Sequence, residues 1–276
     1  MNNFKLVALV LFFCTALFAQ NKFEINEITP LVIGNKIEIK SKILNETRTL
    51  NIYLPNGYSN NSTKQYPVIY LLDGSIDEDF IHISGLVQFG SFSWINMLPE
   101  TIVVGIANSD RKKDFTFPTH IKKDKRDFPT AGKSQNFITF IEKELQPMIA
   151  SLYKTNSTKT IIGQSLGGLL ATEILFTQPQ LFDNYIIVSP SLWWDDESLL
   201  KIQPKKYESK KSIYIAVGKE GKVMERTAQE LYDKLNRDKK GNTKLFFKFF
   251  ANQDHGDALH LAVYDAFTQI FKTKQP

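Results

Sequence analysis

Apolar positions along the chain fall into two alternating patterns. TLNIYL, from Thr49 to Leu54, puts Leu50, Ile52 and Leu54 on one side, which predicts a half-exposed strand near a sheet edge. Six later runs do not alternate: PVIYLL (67–72), TIVVGI (101–106), TKTIIG (158–163), NYIIVS (184–189), SIYIAVG (212–218) and KLFFKFF (244–250). Continuous β-branched runs of this kind predict strands buried on both faces of a parallel sheet. Between them the spacing turns helical. Phe137, Phe140, Ile141, Leu145 and Ile149 share one face, and Leu169, Leu170, Ile174 and Leu175 another. Met224, Ala228, Leu231, Tyr232 and Leu235 form a third, and Leu259, Ala262, Val263, Ala266, Phe267 and Ile270 the last. Strands alternating with helices predict an α/β fold, a mostly parallel sheet with helices on both faces. No internal repeat or low-complexity segment interrupts it.

The first twenty residues break the pattern. Lys5 precedes an apolar run from Leu6 to Phe18, followed by Ala19, the layout of a secretory signal peptide. The expected organisation is a signal peptide over 1–19, cut after Ala19 although Leu17 is bulky for its position, and one domain over 20–276. The protein is then secreted or periplasmic. At 13 residues the run is too short to span a membrane, which takes about 20. A lipoprotein anchor at Cys14 is the competing reading, disfavoured by the bulk of Phe13. Cys14 is the only cysteine, so the mature chain is expected to form no disulfide.

Charge changes the picture little. Lysine and arginine outnumber aspartate and glutamate by 34 to 29, a formal +5. Nothing resembles a nucleic-acid module. The densest basic stretch, Arg111 to Arg126, is broken by Asp114 and Asp124, so it reads as a solvated loop, with attraction of an anionic ligand as the sharper alternative.

Candidate chemistry centres on TIIGQSLGGLL, 160–170. A Walker-type phosphate loop needs a lysine after its glycines, and none follows. Gly163-Gln164-Ser165-Leu166-Gly167 instead joins a predicted strand to a predicted helix, the context of a nucleophile elbow presenting Ser165. A serine hydroxyl needs a base, and the base a carboxylate to orient it. The elbow predicts both downstream, acid before histidine. Of four histidines, His82 and His120 precede the serine. His255 follows the last strand in a loop, and His260 reads as a partly buried surface histidine on the last helix. His255 is therefore the candidate base. Glu220, directly after SIYIAVG, is the candidate acid, with Asp195 and Asp196 as runners-up. Asp254 and Asp257 read as loop or helix-capping residues.

An oxyanion needs preorganised N–H donors. Leu166, just after the nucleophile, supplies one. Asp73-Gly74-Ser75, the loop after PVIYLL, supplies the other, with Ser75 as the favoured donor and Gly74 giving the loop a close approach to substrate.

With those residues in place, the chain from about Lys42 to its end resembles the Putative esterase family of α/β-hydrolases, and within it the siderophore-esterase branch. The resemblance rests on RTLNIYLP, YPVIYLLDG, IVVGIANSDRKKDFTFP, GQSLGGLLA, VSPSLWW and VGKEGKVM. It implies an α/β-hydrolase fold, Ser165, Glu220 and His255 as catalytic residues, and Arg111 and Trp193 near the substrate. One block departs from the family: Arg-x-x-Asp-x-Thr-Pro reads RKKDFTFP, with Phe117 inserted before Pro118. Trp193 and Trp194 also fit ordinary packing, because tryptophan buries so much area.

The expected function is a serine esterase acting through an acyl-enzyme on a small-molecule ester, with a siderophore lactone, anionic in its ferric form, as one substrate. A feruloyl or acetyl carbohydrate esterase, or an acyltransferase on the same fold, is the alternative. A non-catalytic binding protein ranks last, since serine, histidine and acid are all present. No metal cluster, cofactor fingerprint or nucleic-acid partner is implied, and oligomeric state is left open.

Overall fold

The computed structural model describes residues 25–272. The chain divides into two compact units, Met1–Val32 and Ile33–Pro276. Of the first, residues 25–32 are described and carry no helix or strand. The signal segment expected over 1–19 lies outside the described residues.

In chain order the second unit contains β1 (Asn35–Ser41), β2 (Glu46–Tyr53), β3 (Tyr66–Leu71), α1 (Phe80–Gly90) and β4 (Ile102–Ile106). There follow α2 (Arg111–Phe115), α3 (Lys122–Asp127), α4 (Ser134–Phe140), a π turn (Ile141–Leu145) and α5 (Gln146–Leu152). The rest comprises β5 (Thr155–Gln164), α6 (Leu166–Thr177), β6 (Asn184–Val188), α7 (Trp194–Lys201), β7 (Lys211–Gly218), α8 (Lys222–Arg237), β8 (Thr243–Phe250) and α9 (Ala258–Phe271).

The strands form one sheet in the order β1-β2-β4-β3-β5-β6-β7-β8. β2 pairs antiparallel with β1 and β4, and every later neighbour pair is parallel. The continuous apolar runs are explained by two buried layers. Val68, Tyr70, Ile161, Tyr185, Ile187, Ile213 and Ile215 face a core closed by α2, α4, α5, α6 and α8. Ile69, Leu71, Ile162, Ile186, Val188, Tyr214 and Ala216 face one closed by α1 and α9. Positions on the central strands thus leave water whichever way they point.

The sequence-based expectations need four corrections. β1, whose Ile37 and Ile39 alternate with charged residues, is an additional edge strand. β2 lies one place in from it, and its polar side is also covered: Asn51 and Tyr53 are buried. Asn51 Nδ2 satisfies itself by donating to the Gly74 carbonyl. β8, expected to be buried on both faces, is the opposite edge and only half-buried, with Phe249 42% exposed. The helices α1, α2, α3 and α7 were not foreseen. Three of them are at most eight residues long and dominated by charge, so they carry no readable apolar stripe.

Candidate active site

The β5–α6 junction bends as the glycine spacing predicts. Ser165 sits at φ 59°, ψ −120°, a left-handed conformation that costs a non-glycine residue on the order of 1–3 kcal/mol. Surrounding contacts hold it there. Its N–H donates to Val188 O (3.1 Å), and its carbonyl accepts from the N–H groups of Leu169 and Ser191 (3.0 Å each). Gly163 makes the reversal sterically possible: a Cβ on it would lie 2.4 Å from the Gly167 carbonyl oxygen. The half-buried side chain of Ser165 reaches an open cleft of about 420 Å³ lined also by Asp73, Glu78, Asp79, Arg111, Gln164, His255 and Gly256.

Parallel pairing brings the two downstream loops to the same end of the sheet. Glu220 follows β7 and His255 follows β8, and these strands run in register from Lys211↔Thr243 to Gly218↔Phe250. His255 Nδ1 lies 2.5 Å from Glu220 Oε2. The carboxylate only accepts, so Nδ1 carries the proton and Nε2 remains free to act as a base. The other carboxylate oxygen accepts from the Gly218 N–H (2.8 Å) and from the Ser189 hydroxyl. Gly218 is needed here because a Cβ would strike the Gln253 carbonyl at 2.6 Å. Gln164 Nε2, next to the serine, donates to His255 O at 2.6 Å and ties the histidine loop to the elbow.

These contacts set the charge states. The Glu220 hydrogen bond holds the imidazole pKa of His255 above its usual 6.5, against partial burial. Burial pushes Glu220 upward, yet hydrogen bonds from His255, Ser189 and the Gly218 amide outweigh it and hold the carboxyl below the usual range. Ser165 Oγ pairs with Ser191 Oγ at 3.3 Å, and no hydrogen bond joins it to His255 among the described residues. Open spacing of that kind is common before substrate arrives.

The alternative acids are engaged elsewhere. Asp195 accepts from the His120 N–H (2.6 Å) and the Thr119 hydroxyl (3.0 Å), and Asp196 pairs with Lys201 at 2.8 Å. Both belong to a left-handed run, Asp195 to Glu197, which these contacts and the Glu197–Arg226 pair hold in place. Asp254 and Asp257 brace the histidine loop: Asp257 Oδ1 accepts from the Asp254 N–H, and Asp254 Oδ1 from the Gly256 N–H, each at 2.7 Å.

For the oxyanion donors, Leu166 opens α6, so its N–H has no partner within the helix. The Ser75 N–H has only a long contact, 3.4 Å, to Glu78 Oε2. Gly74 differs from expectation. Its N–H is committed to Ile106 O (3.0 Å), and a Cβ would collide with the Gly105 backbone at 2.4 Å. The glycine serves the approach of this loop to β4, not to substrate.

Arg111 reaches the cleft, but its guanidinium is occupied. It forks onto Asp73, Nε to Oδ1 at 2.6 Å and an Nη to Oδ2 at 2.9 Å, and the same Nη donates to Gln164 O at 3.1 Å. It therefore bolts the Asp73 loop to the elbow. Four other cations of the basic stretch are also engaged: Lys113 with Glu46, Lys123 and Arg126 with Asp127, and Lys112 over the Phe128 ring. Trp193 does not line the cleft. It packs on Phe128 and on the fully buried Trp194, ring centroids 6.2 and 6.1 Å away.

Four cleft neighbours escaped sequence reasoning: Ser189, Ser191, Glu78 and Asp79. The two serines lie in the VSPSLWW block, whose position beside the elbow strand was the available signal. Asp79 is half-buried, and burial, Asp73 and Glu78 together push its carboxyl up to about 6 against the pull of Arg111.

A sheet of this topology, carrying a serine on a strained strand–helix turn, is an α/β-hydrolase. A sequence model of the family described as Putative esterase matches residues 41–261, and the chain belongs to that family. Ferri-bacillibactin esterase BesA of Bacillus subtilis strain 168 is 31% identical over 253 residues, 83% of this chain and 87% of that protein. The crystal structure of an IroE-like serine hydrolase from Shewanella oneidensis is 31% identical, with a TM-score of 0.77 over 87% of this chain and 80% of the other. That of the BES protein from Bacillus cereus is 26% identical, with a TM-score of 0.78 over 92% and 100%. The chain is a carboxylic ester hydrolase.

Proposed function

We propose that Ser165, His255 and Glu220 form the catalytic triad of a serine esterase. The observation that carries this reading is the Glu220–His255 pair, fixed on two adjacent loops and opening on the same cleft as Ser165. His255 Nε2 takes the Ser165 hydroxyl proton as Oγ bonds to the ester carbon, and the N–H groups of Leu166 and Ser75 receive the oxyanion. The imidazolium returns the proton to the departing alkoxide. Water, deprotonated by the same nitrogen, then cleaves the acyl-enzyme to acid and free serine. Arg111 acts as a positioning residue, because it joins the loop of one oxyanion donor to the turn of the other.

The substrate follows from the relatives. BesA is named for ferri-bacillibactin, and a siderophore ester is the substrate class proposed here. Cleft charge refines the choice. Asp73, Glu78 and Asp79 face one arginine, so the metal-free ester, with uncharged catechols, is favoured over its multiply anionic ferric complex. Export rests on residues 1–19, and the N-terminal mass of protein recovered outside the cytoplasm checks it.

The test is a fluorophosphonate probe followed by a substrate panel. Covalent labelling on Ser165, absent from Ser165→Ala, and turnover of tri-catecholate lactones above that of feruloyl and acetyl esters are expected. Labelling elsewhere would remove the triad, and a preference for feruloyl esters would remove the substrate class.

A further inference from the structure

The two ends of the sheet differ in charge. At the end opposite the cleft, the segments entering β7 and β8 enclose a cavity of about 410 Å³. Five lysines line it, Lys205, Lys206, Lys234, Lys239 and Lys240, against one carboxylate, Asp238. Lys240 is neutralised by Glu208 at 2.5 Å, while no ion pair reaches the other four lysines among the described residues. A chain whose whole formal excess is +5 thus gathers an uncompensated excess of three charges around one hollow. A cluster of that sign raises the local concentration of anions.

The walls are fixed. Asn242 Nδ2 donates to the Glu208 carbonyl at 2.7 Å, the Lys205 N–H to Phe176 O at 2.8 Å, and the Tyr207 hydroxyl pairs with Thr243 Oγ1 at 3.0 Å. Lys211 Nζ lies 5.1 Å from the Tyr207 ring centroid and steadies it from behind. Pro204, Tyr207 and Leu235 supply apolar surface beneath the ammonium groups.

We infer that this cavity is a binding site for a phosphate-class oxyanion, separate from the ester cleft. Several mobile ammonium groups suit a multivalent oxyanion, which accepts from many directions, better than a single carboxylate. β7 spans eight residues, roughly 25 Å at the strand rise, so an anion seated before Lys211 cannot touch Ser165. The anion comes either from a free phosphate compound or from a phospholipid headgroup, for which the apolar floor gives an anchoring surface.

Two arms distinguish these sources. Inorganic pyrophosphate is titrated calorimetrically, and vesicles of phosphatidylglycerol with phosphatidylcholine are compared with pure phosphatidylcholine in co-sedimentation. Each is run with the wild-type chain, the triple variant Lys205→Ala, Lys206→Ala, Lys239→Ala, and the charge-matched control Lys123→Ala, Lys125→Ala, Lys143→Ala. Salt-sensitive binding in at least one arm is expected, weakened about tenfold or more in the cavity variant and kept in the control. Hydrolysis of p-nitrophenyl acetate should be unchanged in both variants, so failure of the site is distinct from failure of the esterase reading. Absence of binding in both arms, or equal loss in the control, overturns the inference.

Discussion

At the β5–α6 junction the geometry around Ser165 is stored in the backbone: a left-handed residue, glycines in van der Waals contact, and main-chain hydrogen bonds on every side. At the ends of β7 and β8 it is held by side chains. The side chain of Glu220 is 2% exposed, that of His255 48%, and their alignment depends on Ser189, Gln164 and the close pass that Gly218 permits. The first region lies mid-sheet between two buried layers, and the second uses an edge strand. Strain can be kept only where packing overdetermines it, so the rigid part of the proposed triad falls on the elbow and the adjustable part on the edge. Substitutions in the two regions should therefore fail differently.

The largest effect belongs to the elbow. Ser165→Ala should lower turnover by on the order of 10⁶ while the thermal midpoint barely moves, because the hydroxyl makes one long contact, to Ser191. Kinetics with contamination-free protein check this, and retention of a tenth of the activity would sink it. At the edge, Glu220→Gln should cost ~10²- to 10⁴-fold, since the carboxylate orients the imidazole without attacking. Its signature is in pH. The wild-type rate should rise with pH through a value above 6.5, where His255 loses its proton, and the variant's limb should move to lower pH.

Next come the two glycines. Gly163→Ala should remove about 1–3 kcal/mol of stability together with activity, because the Gly167 carbonyl cannot retreat from a new Cβ. Gly218→Ala should leave stability nearer wild type yet still lower the rate, roughly 10²-fold, by pushing the histidine loop away from the elbow. Equal stability losses in the two variants would contradict the contrast between a rigid turn and an adjustable edge.

Sequence reasoning reached the first region more completely than the second, and the reason is physical. A strained strand–helix turn is local, so G-x-S-x-G between an apolar run and a helical pattern reports it directly. Glu220 and His255 were legible as residues that follow two strands, since parallel neighbours deliver such residues to one edge. What supports them was not legible. Ser189, Gln164 and the Arg111–Asp73 fork come from distant segments, and only the folded register brings them within 3 Å or so of their partners. The exposure of β8 was hidden for a related reason: an apolar run tells of a strand but not of its rank in the sheet. Gly74 was read for the right position and the wrong neighbour.

The smallest predicted effect concerns a histidine that neither region uses. His260, on α9, packs against His82 of α1 with ring centroids 3.7 Å apart and planes tilted by 41°, and its Nδ1 is buried without a partner among the described residues. Burial, then the neighbouring His82, push its pKa below 6.5, with Asp257 opposing. The sign of the effect follows from proton uptake. Unfolded chains bind a proton at 6.5 that the folded chain refuses, so this contribution to stability is complete above 6.5 and shrinks as pH falls toward the folded value. His255 works in the opposite sense, for its raised pKa contributes stability below 6.5 that is lost as pH rises through the folded value. Urea midpoints measured between about pH 5 and pH 8 should therefore fall on the acid side less steeply in His260→Gln than in wild type, while the alkaline side is unchanged. In Glu220→Gln the change should appear on the alkaline side as well. An acid slope that His260→Gln leaves untouched would overturn this assignment, because Glu220, whose carboxyl is held below 4.5, keeps its contribution across that range.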